Sequence, residues 1–141
     1  MFMGEFQHNL DDKQRLTIPS KFREELGERF VATKGLDSCL FLYPLTEWRN
    51  IENKLKELPL TNADARAFVR FFLSGATECE PDKQFRIIIP DNLREHGRLE
   101  RECMVIGVSS RVELWARAEW EKYSQKAQLN YESIAEKLIG F

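Results

Sequence analysis

Residues 11 to 23 read DDKQRLTIPSKFR, and residues 82 to 94 read DKQFRIIIPDNLR. Arg15, Leu16, Ile18, Pro19, Phe22 and Arg23 meet Arg86, Ile87, Ile89, Pro90, Leu93 and Arg94 in one unbroken register. Outward from there the register gains one residue and continues. Gly35 meets Gly107, Leu42 meets Leu114, Tyr43 meets Trp115, and Glu47-Trp48 meets Glu119-Trp120. The apolar series Trp48, Ile51, Leu55 returns as Trp120, Tyr123, Ala127 with the same helical steps. Matches in that order along the chain mark an internal duplication.

Each half has the same coarse plan. An opening strand, with Phe2, Gly4 and Phe6 on one face or around Ala76 to Cys79, leads into the polar turn DDKQ or PDKQ. The next strand points Leu16 and Ile18, or Ile87 and Ile89, inward. Pro19 or Pro90 opens a short helix, where a missing N–H is harmless, and Gly27 or Gly97 ends it. Two further strands follow, FVATK and CLFLY or CMVIG and RVELW, and a longer helix closes the unit, with Thr46 the expected N-cap in the first half. Two more helices are expected: Thr61 to about Ser74, capped by Thr61, and about Tyr131 to Ile139. A unit of roughly 70 residues built from short strands buries too little surface to stand alone. The halves are therefore expected to share one core about a pseudo-two-fold axis.

Composition excludes more than it selects. A chain of 141 residues that is 43% hydrophobic can bury a core, and a net charge of −2 neither requires nor forbids a nucleic-acid partner. The longest apolar runs are too short to span a bilayer, and MFMGEFQHN lacks the order of a signal peptide, so a cytoplasmic chain is expected. Cys39, Cys79 and Cys103 show no CxxC spacing and read as buried thiols. His8 and His96 are isolated, Ser109-Ser110 has no nucleophile context, and there is no phosphate-binding glycine loop. The sequence argues against an enzyme, a metal site and a cofactor.

The repeated stretch holds the candidate site. Each copy has an Asp four residues before an Arg, Asp11 to Arg15 and Asp82 to Arg86, with Lys13 or Lys83 between. Spacing alone leaves two readings open: a hairpin turn that keeps Asp for its own backbone and Lys for solvation, or a binding element. Local charge favours the second. Residues 11 to 23 balance to +2 and residues 82 to 94 to +1, in a chain that is net acidic.

The order MFMGEFQHNLDDKQRLTIPSKFREELG, the segment LPLTNADARAFVRFFLSGATECE and the ending IAEKLIGF resemble the MraZ family of bacterial transcriptional regulators, within the AbrB-like swapped-hairpin superfamily. The resemblance covers essentially the whole chain. It implies an α+β fold of tandem, pseudo-two-fold duplicated AbrB-like swapped-hairpin β-barrel units with flanking helices. The repeats would span residues 1–60 and 76–141, the second with a C-terminal helix, joined by a linking helix at 61–75. It further implies a homo-oligomeric ring in the nucleoid that represses transcription at direct repeats in double-stranded DNA, upstream of the division and cell-wall gene cluster. Carried over by position, the DNA-contact motif falls on Asp11, Lys13, Arg15 and on Asp82, Lys83, Arg86. Arg15 and Arg86 would read guanine edges, Lys13, Lys83, Lys21 and Arg23 would meet phosphates, and Asp11 and Asp82 would brace the turns. The family places glycine before each motif Arg; this chain has Gln14 and Phe85, which disfavour positive φ. The competing reading is a protein-interaction module that uses the duplicated turns and a face made by Phe68, Phe71 and Phe72.

Overall fold

The computed structural model describes residues 1–140. In chain order the first half forms β1 (Phe2–Asn9), β2 (Arg15–Thr17), α1 (Ser20–Leu26), β3 (Phe30–Lys34), β4 (Leu40–Pro44) and α2 (Leu45–Lys56). After α3 (Ala63–Ser74) the plan repeats as β5 (Thr77–Cys79), β6 (Arg86–Ile88), α4 (Asp91–His96), β7 (Glu102–Ser109), β8 (Arg111–Ala116) and α5 (Arg117–Leu129), and α6 (Tyr131–Lys137) follows.

The halves do not fold side by side; they exchange strands. β1 of the first half pairs antiparallel with β7 of the second, and β5 of the second pairs antiparallel with β3 of the first. β2 and β6 pair only with each other, in a ribbon whose central pair is Leu16 with Ile87. Since those two residues are sequence equivalents, the pseudo-two-fold axis passes between them. β4 and β8 pair about Phe41 and Glu113, again an equivalent pair. The axis thus crosses both the ribbon and the middle of a six-stranded sheet of order β1-β7-β8-β4-β3-β5.

That sheet is open, with β1 and β5 at its edges, and it does not show the barrel closure that the resemblance implies. The molecule closes its core by layering instead. On one face of the sheet, Leu40, Leu42, Val105, Val112 and Leu114 pack with Leu16, Ile18, Ile87 and Ile89 from the ribbon side and with Phe22 and Leu93 of the short helices. On the other face, Phe41, Tyr43, Ile106 and Trp115 pack against Trp48, Phe72 and Trp120 from the long helices. Trp48 stacks on Phe72 with centroids 5.8 Å apart.

Local chemistry explains the element boundaries, including two that differ from expectation. Pro19 and Pro90 stand at the N-caps of α1 and α4, and Gly27 closes α1 with φ of 81°. The helix α2 starts at Leu45 behind Pro44, so Thr46 lies inside its first turn and caps nothing. At α3 the cap is Asn62, whose side chain accepts from the N–H of Ala65 at 3.0 Å, rather than Thr61. Gly107 is fixed by close approach: a Cβ there would lie 2.3 Å from the backbone nitrogen of Met3 on β1.

Leu16 is fully buried on the axis while Ile88, next to its partner Ile87 on the opposite strand, is 65% exposed. Leu16→Ala should cost about 2–5 kcal/mol in urea unfolding, because the site cannot collapse without separating the halves. Ile88→Ala should stay within about 0.5 kcal/mol of the parent.

Candidate nucleic-acid interface

The turns at both ends of the ribbon have one hydrogen-bond pattern. Asp11 carbonyl accepts from Gln14 N–H at 3.0 Å, and Asp11 N–H donates to Arg15 carbonyl at 3.0 Å. Asp82, Phe85 and Arg86 repeat this at 2.9 and 3.0 Å. This is a tight turn followed by a left-handed residue, the hairpin connection that usually places glycine at the last position. Gln14 and Phe85 occupy it at φ of 61° and 59°. The backbone therefore takes the conformation that these side chains disfavour, at roughly 1–2 kcal/mol each.

The Asp side chains hold the turns in that shape. Oδ1 of Asp11 accepts from the N–H groups of Lys13 and Arg15, both at 2.9 Å, while Oδ2 accepts from Arg15 Nε at 2.7 Å. Oδ1 of Asp82 accepts from Gln84 and Arg86 N–H at 2.9 Å, and Oδ2 from Arg86 Nε at 2.8 Å. The N–H of Arg15, then its side chain and the N–H of Lys13, hold the Asp11 carboxyl below the ordinary carboxylate value against a weaker opposing effect of burial. Arg86 and Gln84 do the same for Asp82.

Each ion pair uses only one edge of its guanidinium. Nε is committed to the Asp; among the described residues no hydrogen bond engages Nη1 or Nη2 of Arg15 or Arg86. Side-chain direction in the ribbon then decides where these forks go. Leu16 and Ile87 point into the core, so their neighbours Arg15, Thr17, Arg86 and Ile88 stand on the outer face. Arg15 lies opposite Ile88 and Arg86 opposite Thr17, which puts the two arginines diagonally on one surface. Both border a single surface depression together with Asp82 and Ile88.

The remaining basic residues divide. Lys13 and Lys83 are exposed, but they are not equivalent: the turn N–H that matches Lys13 belongs to Gln84, and Lys83 stands where the first copy has Asp12. Lys21 is exposed on α1, with Nζ 6.0 Å from the centre of the Phe6 ring. Arg23 is half-buried; its Nε donates to the Ile18 carbonyl at 2.9 Å, and its guanidinium lies 4.5 Å from the centre of the Phe85 ring. Arg23 also pushes His8 below the usual histidine value, second to the effect of burial. The Phe cluster divides as well: Phe72 is core, whereas Phe68 and Phe71 are 42% and 56% exposed, with Lys34 Nζ 3.5 Å over the Phe71 ring.

Phe85 is the residue whose effect the sequence left open, between packing and contact with a base. The signal for it was present in its departure from glycine beside the motif Arg. The three cysteines are buried free thiols, with burial pushing Cys79 and Cys103 up to about 11.

The two exchanged halves thus form a duplicated ribbon module with an Asp-anchored arginine at each turn. The family model described as "MraZ protein, putative antitoxin-like" matches twice, over residues 1–71 and 72–141. The chain is similar to proteins named "Transcriptional regulator MraZ" from Pelotomaculum thermopropionicum, at 66% identity over 99% of this chain and 96% of the relative, and from Desulforamulus reducens, at 60% over 99% and 98%. That of Moorella thermoacetica is 60% identical over 100% of this chain and 99% of its own. The chain belongs to the MraZ family. The relatives' names describe regulators rather than enzymes.

The lowered Asp values carry a pH signature. As pH falls, the unfolded chain takes up these protons first, so the stabilisation is present above about pH 3.8 and is lost as pH drops through the lower folded-state values. The melting-temperature gap between the parent and the Asp11→Asn, Asp82→Asn variant should be widest near neutral pH and should close below pH 3.8.

Proposed function

We propose that this chain is a sequence-specific DNA-binding regulator of transcription. It acts as a repressor at direct repeats upstream of the bacterial division and cell-wall gene cluster, in the cytoplasm at the nucleoid. The names of its relatives support the regulatory role. The observation that carries the DNA reading is the pair of guanidinium groups on one face of the ribbon, each anchored through Nε with its outer nitrogens uncommitted.

The mechanism follows from that geometry. A planar fork held at its inner edge can donate two bonds from its outer edge, which matches guanine O6 and N7 and is worth about 1–3 kcal/mol of discrimination. Arg15 and Arg86 take this role. Lys13, Lys83, Lys21 and Arg23 meet phosphates and set position without reading sequence. Asp11 and Asp82 stay off the DNA and keep the forks aimed. The working units are residues 1–60 and 76–141, with 61–75 between them.

A few such contacts per chain bind weakly and fade with salt. A ring-shaped homo-oligomer presents several identical ribbons, so a second repeat is engaged at high effective concentration and avidity rises by about 10² to 10⁴. The interaction-module reading draws on the exposed Phe68 and Phe71, but it leaves the two aimed arginines without work.

Binding to a labelled upstream fragment with two repeats, compared with one repeat, checks this directly. The parent should bind the two-repeat fragment far more tightly, and Arg15→Ala or Arg86→Ala should each weaken binding by about 5- to 150-fold. Equal affinity across all combinations contradicts the mechanism.

A further inference from the structure

The two ends of the ribbon share a backbone but not a surface. In the first half Arg23 donates from Nε to the Ile18 carbonyl, and Ile18 N–H donates to the Phe85 carbonyl at 2.8 Å. In the second half Arg94 donates to the Ile89 carbonyl, and Ile89 N–H donates to the Gln14 carbonyl at 3.0 Å. The frames are alike. Their outer groups are not.

Arg94 has a carboxylate partner, Asp91, on its own helix. The matching position beside Arg23 is Ser20, and among the described residues no carboxylate pairs with Arg23. What Arg23 has instead is the face of Phe85, a ring from the other half of the chain, 42% exposed and held at φ of 59°. An aromatic face orients a guanidinium without placing an opposite charge beside it, whereas a carboxylate partner offsets part of its field and occupies one of its edges. Arg23 is therefore held without a carboxylate against the residue that precedes Arg86, while Arg94 shares its charge with Asp91.

We infer that Phe85 is a positioning residue for DNA: it holds Arg23 as a phosphate clamp at the second turn only. The inference rests on the DNA reading above and adds to it a residue and an inequality between the two turns. Phe85, like Gln14 at the first turn, occupies a backbone conformation that glycine would take without strain, so a glycine there removes the ring while keeping the turn. The clamp gives the ribbon a more strongly bound end, so each chain lies on its repeat in one direction.

Glycine replacement separates a structural role from this one, because it moves stability and binding in opposite directions. Phe85→Gly should melt at or above the parent temperature, since it relieves the positive φ. It should nevertheless bind the upstream fragment about two- to fivefold more weakly. The slope of log affinity against log salt should fall by about 0.9 per chain as one phosphate contact is lost. Phe85→Trp should restore both, and Phe85→Gly in an Arg23→Ala background should have no further effect on the slope. Gln14→Gly, the equivalent change at the other turn, should leave the slope unchanged. If the parent binds, Arg86→Ala weakens binding as stated above, and Phe85→Gly keeps the full slope, the clamp is wrong while the DNA reading stands. If the parent itself fails to bind, the DNA reading falls with it.

Discussion

The antiparallel pairing of β2 with β6 is the constraint on which the rest depends. Each strand is three residues long and has no other partner, so neither half can complete its ribbon alone. The central pair, Leu16 and Ile87, is buried on the pseudo-two-fold axis, and this burial turns every neighbouring side chain outward. A one-residue slip would send the arginines into the core and the leucine and isoleucine into solvent. Stability and aim are therefore set by the same register.

The exchange of β1 and β5 strengthens that register from the flanks. β1 leads directly into the first turn and is anchored to β7 along eight residue pairs, while β5 leads into the second turn and is anchored to β3. Each turn thus begins on a strand fixed by the opposite half. The Asp side chains finish the work at short range, joining backbone and guanidinium through one carboxylate. A rigid turn lowers the entropy lost when its arginine engages a partner.

Much of this was legible in the sequence, for reasons that can be named. The duplication, the inward alternation of Leu16 and Ile18 with Ile87 and Ile89, and the helix starts after Pro19 and Pro90 are local patterns, and local patterns are what a sequence displays. The strand exchange was implied only by the swapped-hairpin resemblance and not by local pattern, because pairing β1 with β7 joins residues that are about 100 positions apart and both partners look like ordinary strands. The caps at Thr46 and Thr61 failed for a smaller reason: Pro44 and Asn62 are better boundary residues at the same place. Gln14 and Phe85 argued against a left-handed turn on intrinsic preference, yet three hydrogen bonds to each Asp outweigh that preference. At the site itself, the sequence indicated the paired Asp and Arg, while the contact of Arg23 with Phe85 needed the fold, since it joins the two halves across the axis.

The central claim is that one ribbon offers both arginines to a single duplex. Chemical modification of arginine side chains, read by mass spectrometry with and without the upstream DNA fragment, tests it most directly. Arg15 and Arg86 should be protected together and over the same range of DNA concentration, with Arg117, held by Glu102 and Glu121 at the far helix, unchanged. Protection of only one of the pair, or of neither while the DNA is bound, would contradict the account.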